Sequence, residues 1–356
     1  MSQVNDQATD PRPGEELPRD RLQAYLGDVM PEWGEITEIT QFPGGASNLT
    51  YLVRASGGEF ILRRPPFGSK AVSAHDMGRE YRVMSRLRHV YPYCPEPLAF
   101  CDDPSVLGEP FYLMRRLEGI ILRRDLPAGR SLSEKQAETL CRRLIDVHLE
   151  LHQIDFQSAG LADLGRPDGY VQRQVEGWSG RYRAARTDDV PDNEAIMDWL
   201  ISHMPSQTNR AAVIHNDFKF DNVVLRPSDL GIVGVLDWEM ATLGDPLMDL
   251  GCSLAYWVEA DDPAPVQKLR MLPTHLPGMM TRRQILEHYA EAGGAAPDDF
   301  RFYAAFGLFR LAVIVQQIYF RYVRGQTRDP RFADFGGLCS LLSSTANSVV
   351  SGQRTV

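Results

Sequence analysis

Five cysteines in 356 residues, at 94, 101, 141, 252 and 339, form no CxxC pair and no metal-ligand spacing. The sequence therefore offers neither a disulfide framework nor a zinc site, and the thiols read as reduced packing residues. Positive charge is also short. Thirty-eight Lys and Arg against 47 Asp and Glu leave a net charge of −9, which excludes a protein whose main work is coating nucleic acid, because that affinity comes from neutralising phosphates. No apolar h-region follows the polar residues 1–20, so neither a signal peptide nor a membrane anchor is expected, and a cytoplasmic location is. The most apolar long stretch, 302–323, carries Arg310, Gln316, Gln317 and Arg321. That density of polar groups is costly in hydrocarbon, so a buried helix and no membrane partner are expected. Neither internal repeats nor low-complexity segments stand out beyond the amino-terminal tail.

What the chain does contain is enough for sizeable cores: 43% of residues are hydrophobic and 24% charged. At roughly 150 residues per domain, the length suggests two folded units. Residues 1–18, polar with Asp, Gln and Pro, are expected to be a disordered tail. A short amphipathic helix should follow from Pro18-Arg19-Asp20 to about Met30. Strand signals come next: 36–42 alternates, 43–48 is a turn, and 49–55 and 59–64 are β-rich runs joined by Ser56-Gly57-Gly58. Residues 74–90 show helical spacing (Met77, Tyr81, Met84, Leu87), and 111–117 is another strand. The first 117 residues are thus α+β. After Gly119 the pattern turns helical, with Ser133 and Gln136 forming a capping box at the head of a helix that carries Leu140, Leu144, Val147, His148 and Leu151 on one face. Short strands near Val213-Ile214 and 233–236 interrupt the helices, which resume from Leu247.

The most informative stretch is His215-Asn216-Asp217-Phe218-Lys219-Phe220-Asp221-Asn222. It precedes the apolar Val223-Val224-Leu225 and, after a turn, Val233-Gly234-Val235-Leu236-Asp237-Trp238-Glu239. An Asp and an Asn five residues apart on one loop, with another Asp at the end of a nearby strand, can hold a base and a metal together for phosphoryl transfer. Such a reaction asks little covalent work of the protein, because catalysis is positioning plus neutralisation of the γ-phosphoryl charge. Singly, His215 reads as a core histidine, Asp217 and Asn222 as turn formers and Asp237 as a strand cap. Their order between apolar strands favours the chemical reading.

This stretch resembles the aminoglycoside phosphotransferase-like branch of the protein-kinase-like superfamily. With FILRRPP, REYRV, FYLMRRLEG and LDWE added, the chain is most similar to the acyl-CoA-dehydrogenase-associated kinase-like proteins of that branch. The resemblance implies a bilobal protein-kinase-like α+β fold, with a small antiparallel-sheet N-lobe over 19–117 and a larger, mainly helical C-lobe over 118–356. In the kinase pattern HxDxKxxN it implies that Asp217 takes the substrate hydroxyl proton, Lys219 contacts the γ-phosphate and Asn222 holds magnesium. Asp237 becomes the second metal ligand, with Trp238-Glu239 in place of Phe-Gly. The turn Gly44-Gly45-Ala46-Ser47 matches the nucleotide-covering loop, where Gly44 and Gly45 let backbone N–H groups approach phosphates and Ser47 adds a hydroxyl. Arg63 stands where most kinases carry Lys, and Glu80 on the next helix would be its partner. The segment around Met114, Arg115 and Leu117 resembles the hinge whose backbone meets adenine, with Ile61, Val224 and Leu236 around the ring. ATP or GTP and Mg2+ are the implied cofactors. His215 is expected to serve loop architecture, and Asp249 to anchor the loop from behind.

Seven residues separate Asp237 from Asp245, too few for the long activation loop that docks peptides, so a small-molecule hydroxyl acceptor is expected. A polycationic aminoglycoside needs a carboxylate-lined site. The carboxy-terminal helices offer instead Phe300, Phe302, Tyr303, Phe306 and Phe309 interleaved with Arg301 and Arg310, which suits an apolar or anionic acceptor, although Glu259, Asp261 and Asp262 pull the other way. The resemblance points to a hydroxyacyl-CoA or another lipid-derived alcohol. Two alternatives stay open: a nucleotide-binding pseudokinase, suggested by Arg63 and the missing Phe-Gly, and an antibiotic kinase. A second copy of the chain stays open as a partner.

Overall fold

The alternating runs near the amino terminus form one antiparallel sheet in a computed structural model that describes residues 8–43, 48–66, 76–205 and 210–354. Helix α1 (Arg19–Val29) precedes strands β1 (Ile36–Gln41), β2 (Leu49–Ala55) and β3 (Gly58–Arg64). Helix α2 (Met77–Leu87), β4 (Pro97–Cys101), the short α3 (Pro104–Leu107) and β5 (Phe111–Arg115) follow. The strands lie in the order β1-β2-β3-β5-β4, every neighbour antiparallel. In the inner strand β3, Phe60, Ile61, Leu62, Arg63 and Arg64 are all buried, so its two arginines need internal partners. Asp76 caps α2 by accepting the Arg79 N–H at 2.8 Å. Met77, Val83, Met84 and Leu87 form the buried face of α2, and helical spacing puts Glu80 on that same face.

The expected disordered tail is corrected by the structure over residues 8–18. Thr9 exchanges two backbone hydrogen bonds with Gln41, at 2.9 and 2.7 Å. The Arg12 N–H donates to the Gln41 side chain at 2.9 Å, the Tyr51 hydroxyl donates to the Glu15 carbonyl at 2.7 Å, and Leu17 is buried. An edge strand presents unpaired backbone groups that such a segment covers. Polar composition does not reveal a pairing made at that range.

The chain divides into two compact units. The first comprises Met1–Ile121, Ala159–Leu161 and Val223–Glu239; the second comprises Leu122–Ser158, Ala162–Asn222 and Met240–Val356. Helices α4 (Glu134–His152), α5 (Tyr170–Ala185) and α6 (Glu194–Ser202) and strand β6 (Ala212–Ile214) open the second unit, and both bonds of the Ser133–Gln136 capping box are present. The chain then returns to the first unit for the hairpin β7 (Val223–Leu225) and β8 (Ile232–Val235). Ile120 and Leu225 exchange backbone hydrogen bonds at 2.9 and 2.8 Å, and the Val235 N–H donates to the Tyr93 carbonyl at 2.8 Å. Gly119 permits this approach, because a Cβ there would lie 2.5 Å from the Leu225 carbonyl oxygen. Residues 223–239 therefore belong with the sheet unit rather than with an unbroken segment from 118 onward.

Strand β9 (Thr242–Gly244) pairs with β6, and helices α7 (Pro246–Leu254), α8 (Ala264–Gln267), α9 (Arg282–Glu291), α10 (Arg301–Val323) and α11 (Phe335–Val350) complete the second unit. Asp245 caps α7 through the Leu247 N–H at 2.8 Å, with Pro246 at the first helical position. Helices α7 and α10 meet at paired glycines. A Cβ on Gly307 would fall 2.2 Å from the Gly251 carbonyl oxygen, so only glycine allows this crossing distance. In α10 the apolar window long enough to span a membrane is 78% buried. Phe302, Tyr303, Phe306 and Phe309 lie in the core, so the aromatic stripe is packing. Arg310, at 3% exposure, is the exception buried with them.

Candidate active site

In the first unit, Arg63 joins three elements. Its Nη1 donates to Glu80 Oε1 on α2 at 2.8 Å, and its Nη2 donates to Asp237 Oδ1, just past β8, at 3.0 Å. Glu80 is 1% exposed and the Asp237 side chain is a third exposed. Burial opposes the Arg63 charge, but Glu80, Tyr112 and Asp237 outweigh it and hold the guanidinium firmly protonated. Burial pushes the Glu80 carboxyl up and the neighbouring Asp237 adds to that push, while Arg63 opposes both. The contact with a guanidinium that never gives up its proton makes the carboxylate the resident form. Asp237 adopts a left-handed φ of 69°, a conformation uncommon for a residue with a Cβ and concentrated at functional sites. The turn beyond it, Trp238–Met240, carries Glu239, whose carboxylate accepts from Asn48 Nδ2 at 2.8 Å and whose carbonyl accepts from Arg79 at 3.0 Å.

In the second unit, residues 215–222 leave β6 as a loop fixed from below by one carboxylate. Asp249, fully buried on α7, accepts the His215 N–H on Oδ2 at 2.8 Å and the Asn216 N–H on Oδ1 at 2.7 Å. His148 and His152 of α4 place Nε2 3.0 and 3.2 Å from Oδ2, and the Tyr289 hydroxyl lies 2.8 Å from His152 Nδ1. Burial pushes Asp249 up, but its electrostatic interactions and hydrogen bonds with the two imidazoles overcome it and hold the carboxyl well below its ordinary value. Burial, with His152 beside it, depresses His148 to about 4, so His148 is a neutral imidazole donating through Nε2. His215 Nδ1 accepts the Asp217 N–H at 3.2 Å, the loop-building use expected of it. Asn216, at φ 65°, turns the chain; its Nδ2 donates to the Met240 carbonyl at 3.0 Å and its Oδ1 accepts from the Tyr170 hydroxyl at 3.1 Å.

On that foundation Asp217, Lys219 and Asn222 converge. Asn222 Nδ2 donates to the Asp217 carbonyl at 2.8 Å and to Asp217 Oδ2 at 2.9 Å. Lys219 Nζ contacts the same Oδ2, lies 3.3 Å from Asp221 Oδ1, and stands 5.1 Å from the centre of the Tyr256 ring. Burial opposes the ammonium, yet Asp217, Asp221 and Tyr256 hold its pKa above the ordinary value. Burial raises Asp221, against the pull of Lys219. With its amide nitrogen tied to Asp217, Asn222 is left to present its oxygen. Amide and carboxylate oxygens are the hard donors that suit Mg2+, so the residue types at 222 and 237 fit such an ion.

The other expected positions fare unequally. Met114 is buried in β5, in register with Ile61 of β3 and Pro97 of β4. The Arg115 N–H donates to the Glu96 carbonyl at 2.8 Å and its side chain bonds Glu96 at 2.6 Å, so Arg115 has no amide proton left for a nucleobase. The Leu117 side chain fills space a Cβ on Gly234 would occupy, at 2.1 Å from Leu117 Cδ1. Gly44, Gly45 and Ser47 lie outside the described residues. The acidic run is structural: Asp262 takes both Nη atoms of Arg282, at 2.8 and 3.0 Å. The sequence reading missed Tyr112 beside Glu80 and Tyr256 beneath Lys219. Only long-range packing brings these together, and no local spacing signals it.

An antiparallel sheet unit in which a basic strand residue pairs with a helix glutamate, and a helical unit carrying the Asp-Lys-Asn loop, are features of the kinase-like phosphotransferases. Residues 38–293 match the family described as "Phosphotransferase enzyme family", and the chain belongs to that family of small-molecule kinases. It is 34% identical over 333 residues to mouse acyl-CoA dehydrogenase family member 10, covering 93% of this chain and 31% of that protein. It is 31% identical over 331 residues to human acyl-CoA dehydrogenase family member 11, covering 91% and 42%. The chain thus spans about a third to two fifths of the length of these curated relatives. A solved structure of a candidate aminoglycoside phosphotransferase from Ralstonia eutropha superposes with a TM-score of 0.80 at 28% identity, covering 95% of this chain and 99% of that one.

Proposed function

We propose that this chain transfers the γ-phosphoryl group of ATP or GTP to a hydroxyl of a small molecule, with a hydroxyacyl-CoA or another lipid-derived alcohol as acceptor. The observation that carries the reading is the loop 215–222, where one buried carboxylate fixes the backbone and Asn222 fixes the side chain of Asp217. A general base must be held within hydrogen-bond reach of the proton it takes. In the proposed step the acceptor oxygen bonds to the γ-phosphorus, the bond from that phosphorus to the bridging oxygen breaks, and the hydroxyl proton goes to Asp217. Lys219, now on Asp217 and Asp221, steadies the transferring group. Asn222 and Asp237 would hold Mg2+, which when bound neutralises phosphate charge. Arg63 orients the nucleotide while Glu80 and Asp237 orient Arg63.

The acyl-CoA dehydrogenase names of the curated relatives support an acceptor drawn from acyl thioester chemistry. The test is ADP release from full-length protein with Mg-ATP and a panel of hydroxylated acceptors. Asp217→Ala should lower acceptor-dependent turnover about 1,000-fold and spare nucleotide binding. Unchanged turnover in that variant would remove Asp217 as the base, and ADP release indifferent to every acceptor would leave the nucleotide-sensing alternative.

A further inference from the structure

Trp238-Glu239 stands in place of the Phe-Gly that the kinase resemblance leads one to expect, and the two residues are put to different uses. Trp238 packs as an aromatic should: it is fully buried, its Nε1 donates to the Val235 carbonyl at 2.9 Å, and its ring meets Tyr91 edge-on at 5.8 Å. Glu239 does what a glycine could not. Its carboxylate accepts from Asn48 Nδ2 at 2.8 Å across 191 residues of sequence, while its carbonyl accepts from Arg79 Nη1 at 3.0 Å. Asn48, immediately before β2, is 1% exposed. A side-chain amide buried that deeply needs a partner, and an ionised acceptor makes the bond stronger.

Three elements thus hold the segment 237–239. Strand β3 holds Asp237 through Arg63 at 3.0 Å, helix α2 holds the Glu239 carbonyl through Arg79, and the start of β2 holds the Glu239 carboxylate through Asn48. These elements are joined to one another as well. Leu49 lies opposite Arg64 and Thr50 opposite Arg63 in the β2–β3 register, and Glu80, next to Arg79 on α2, bonds Arg63 at 2.8 Å. At the centre of this ring Asp237 keeps a φ of 69°, which persists in a residue with a Cβ only where the surrounding structure over-determines it. Arg63 fixes the Asp237 side chain. The turn that follows is fixed by Glu239, bound at both its carbonyl and its carboxylate.

Resting on the phosphotransferase reading above, we propose that Glu239 is a positioning residue for nucleotide binding. Its bond to Asn48 clasps the start of β2 to the turn after Asp237 and keeps the Asp237 carboxylate aimed for a triphosphate carrying Mg2+. The departure from Phe-Gly is then an added tether and no sign of a disabled site.

The test measures ATP affinity of the full chain by calorimetry with and without Mg2+, because the ratio of the two reports the seat of Asp237 and needs neither acceptor nor turnover. Asn48→Asp sets two carboxylates against each other and Glu239→Ala removes one side of the bond, so each should shrink the Mg2+-dependent gain in affinity by about tenfold or more. Glu239→Gln keeps an acceptor oxygen for Asn48 and should change the gain by less than about threefold. Combining Asn48→Asp with Glu239→Gln reverses donor and acceptor, and the gain should return to within about threefold of the original. A merely structural role would lower the urea midpoint of the disruptive variants and leave the Mg2+ ratio intact, which overturns the proposal. A reversed pair no better than Asn48→Asp alone overturns it too. Glu239→Gln as damaging as Glu239→Ala would make Glu239 a direct ligand; that outcome overturns the clasp and leaves the phosphotransferase reading standing. If either disruptive variant does not fold, Asn48→Ala, which leaves only the partly exposed Glu239 carboxylate to be rehydrated, decides by the same ratio. ATP bound by no form of the chain, the original included, removes the phosphotransferase reading and this proposal together.

Discussion

Each unit buries a carboxylate beside its candidate site residues, Glu80 in one and Asp249 in the other, and the two are satisfied in opposite ways. Glu80 faces a permanent cation, Arg63, which is shared with the partly exposed Asp237. Among the described residues Asp249 faces no permanent cation; its four partners there are two backbone N–H groups and two imidazoles, one of them, His148, kept neutral by burial. A charged pair with one exposed member can exchange partners when a polyanionic ligand arrives, because the ligand supplies charge of the same kind. A carboxylate bonded to backbone amides has no such exchange available: its partners are the loop itself. The first arrangement suits a site that grips and releases, and the second suits a scaffold that must hold loop 215–222 in one conformation, left-handed Asn216 included.

That contrast breaks most visibly at Asp249. Asp249→Ala leaves two buried amides and two buried imidazoles without their acceptor, and unfolding free energy should fall by about 3–5 kcal/mol, read by urea denaturation. A loss below about 1 kcal/mol would mean that water or rearrangement replaces the hub, and the distinction between the two carboxylates would fail. The His148 side of the hub gives a pH signature. Its folded pKa is about 4 against an ordinary 6.5, so between those values the unfolded chain binds the extra proton. Stability from this group is complete above pH 6.5 and is lost as pH falls towards 4, in total by about 3 kcal/mol. Asp249, held below its ordinary value, sheds its own contribution only at pH below about 4. His148→Gln keeps a donor for Asp249 but does not titrate, so its stability profile should be flatter between pH 6.5 and 4. An unchanged slope there would assign the acid sensitivity elsewhere.

The two regions also differ in how much of them a linear reading recovers. Asp217, Lys219 and Asn222 sit within six residues of one another, so their convergence on a loop needs only local geometry. Asp249 can be picked as an anchor because Asp245-Pro246 starts a helix that places it one turn in. The Arg63 bond to Asp237 spans 174 residues, and the family resemblance offers Arg63 and Glu80 as partners without revealing Asp237 as the third. Residues 8–18 escape a linear reading because a polar segment can pair with a sheet edge through its backbone, which composition does not record. In sequence Arg310 is only one cation in an aromatic stripe. What separates it from Arg301 on the same helix is burial without a carboxylate, a property of packing and not of spacing.

The smallest effect on stability, and the sharpest on mechanism, is expected from Arg63→Lys. An ammonium keeps the charge but lacks the planar fork that reaches Glu80 and Asp237 at once. Buried Glu80 is the costlier group to abandon, so the substituted ammonium should stay with it and release Asp237, whose exposed part is rehydrated. Stability should therefore fall by only about 1 kcal/mol, since a partly solvated contact is worth little once screened. Nucleotide KM should nevertheless change several-fold, because Asp237 loses the neighbour that orients it, while acceptor KM stays put. Should stability fall by about 3 kcal/mol or more, the cost of breaking a fully buried pair, with nucleotide KM unmoved, the Arg63 cluster would be a scaffold like the Asp249 hub and not a gripping site.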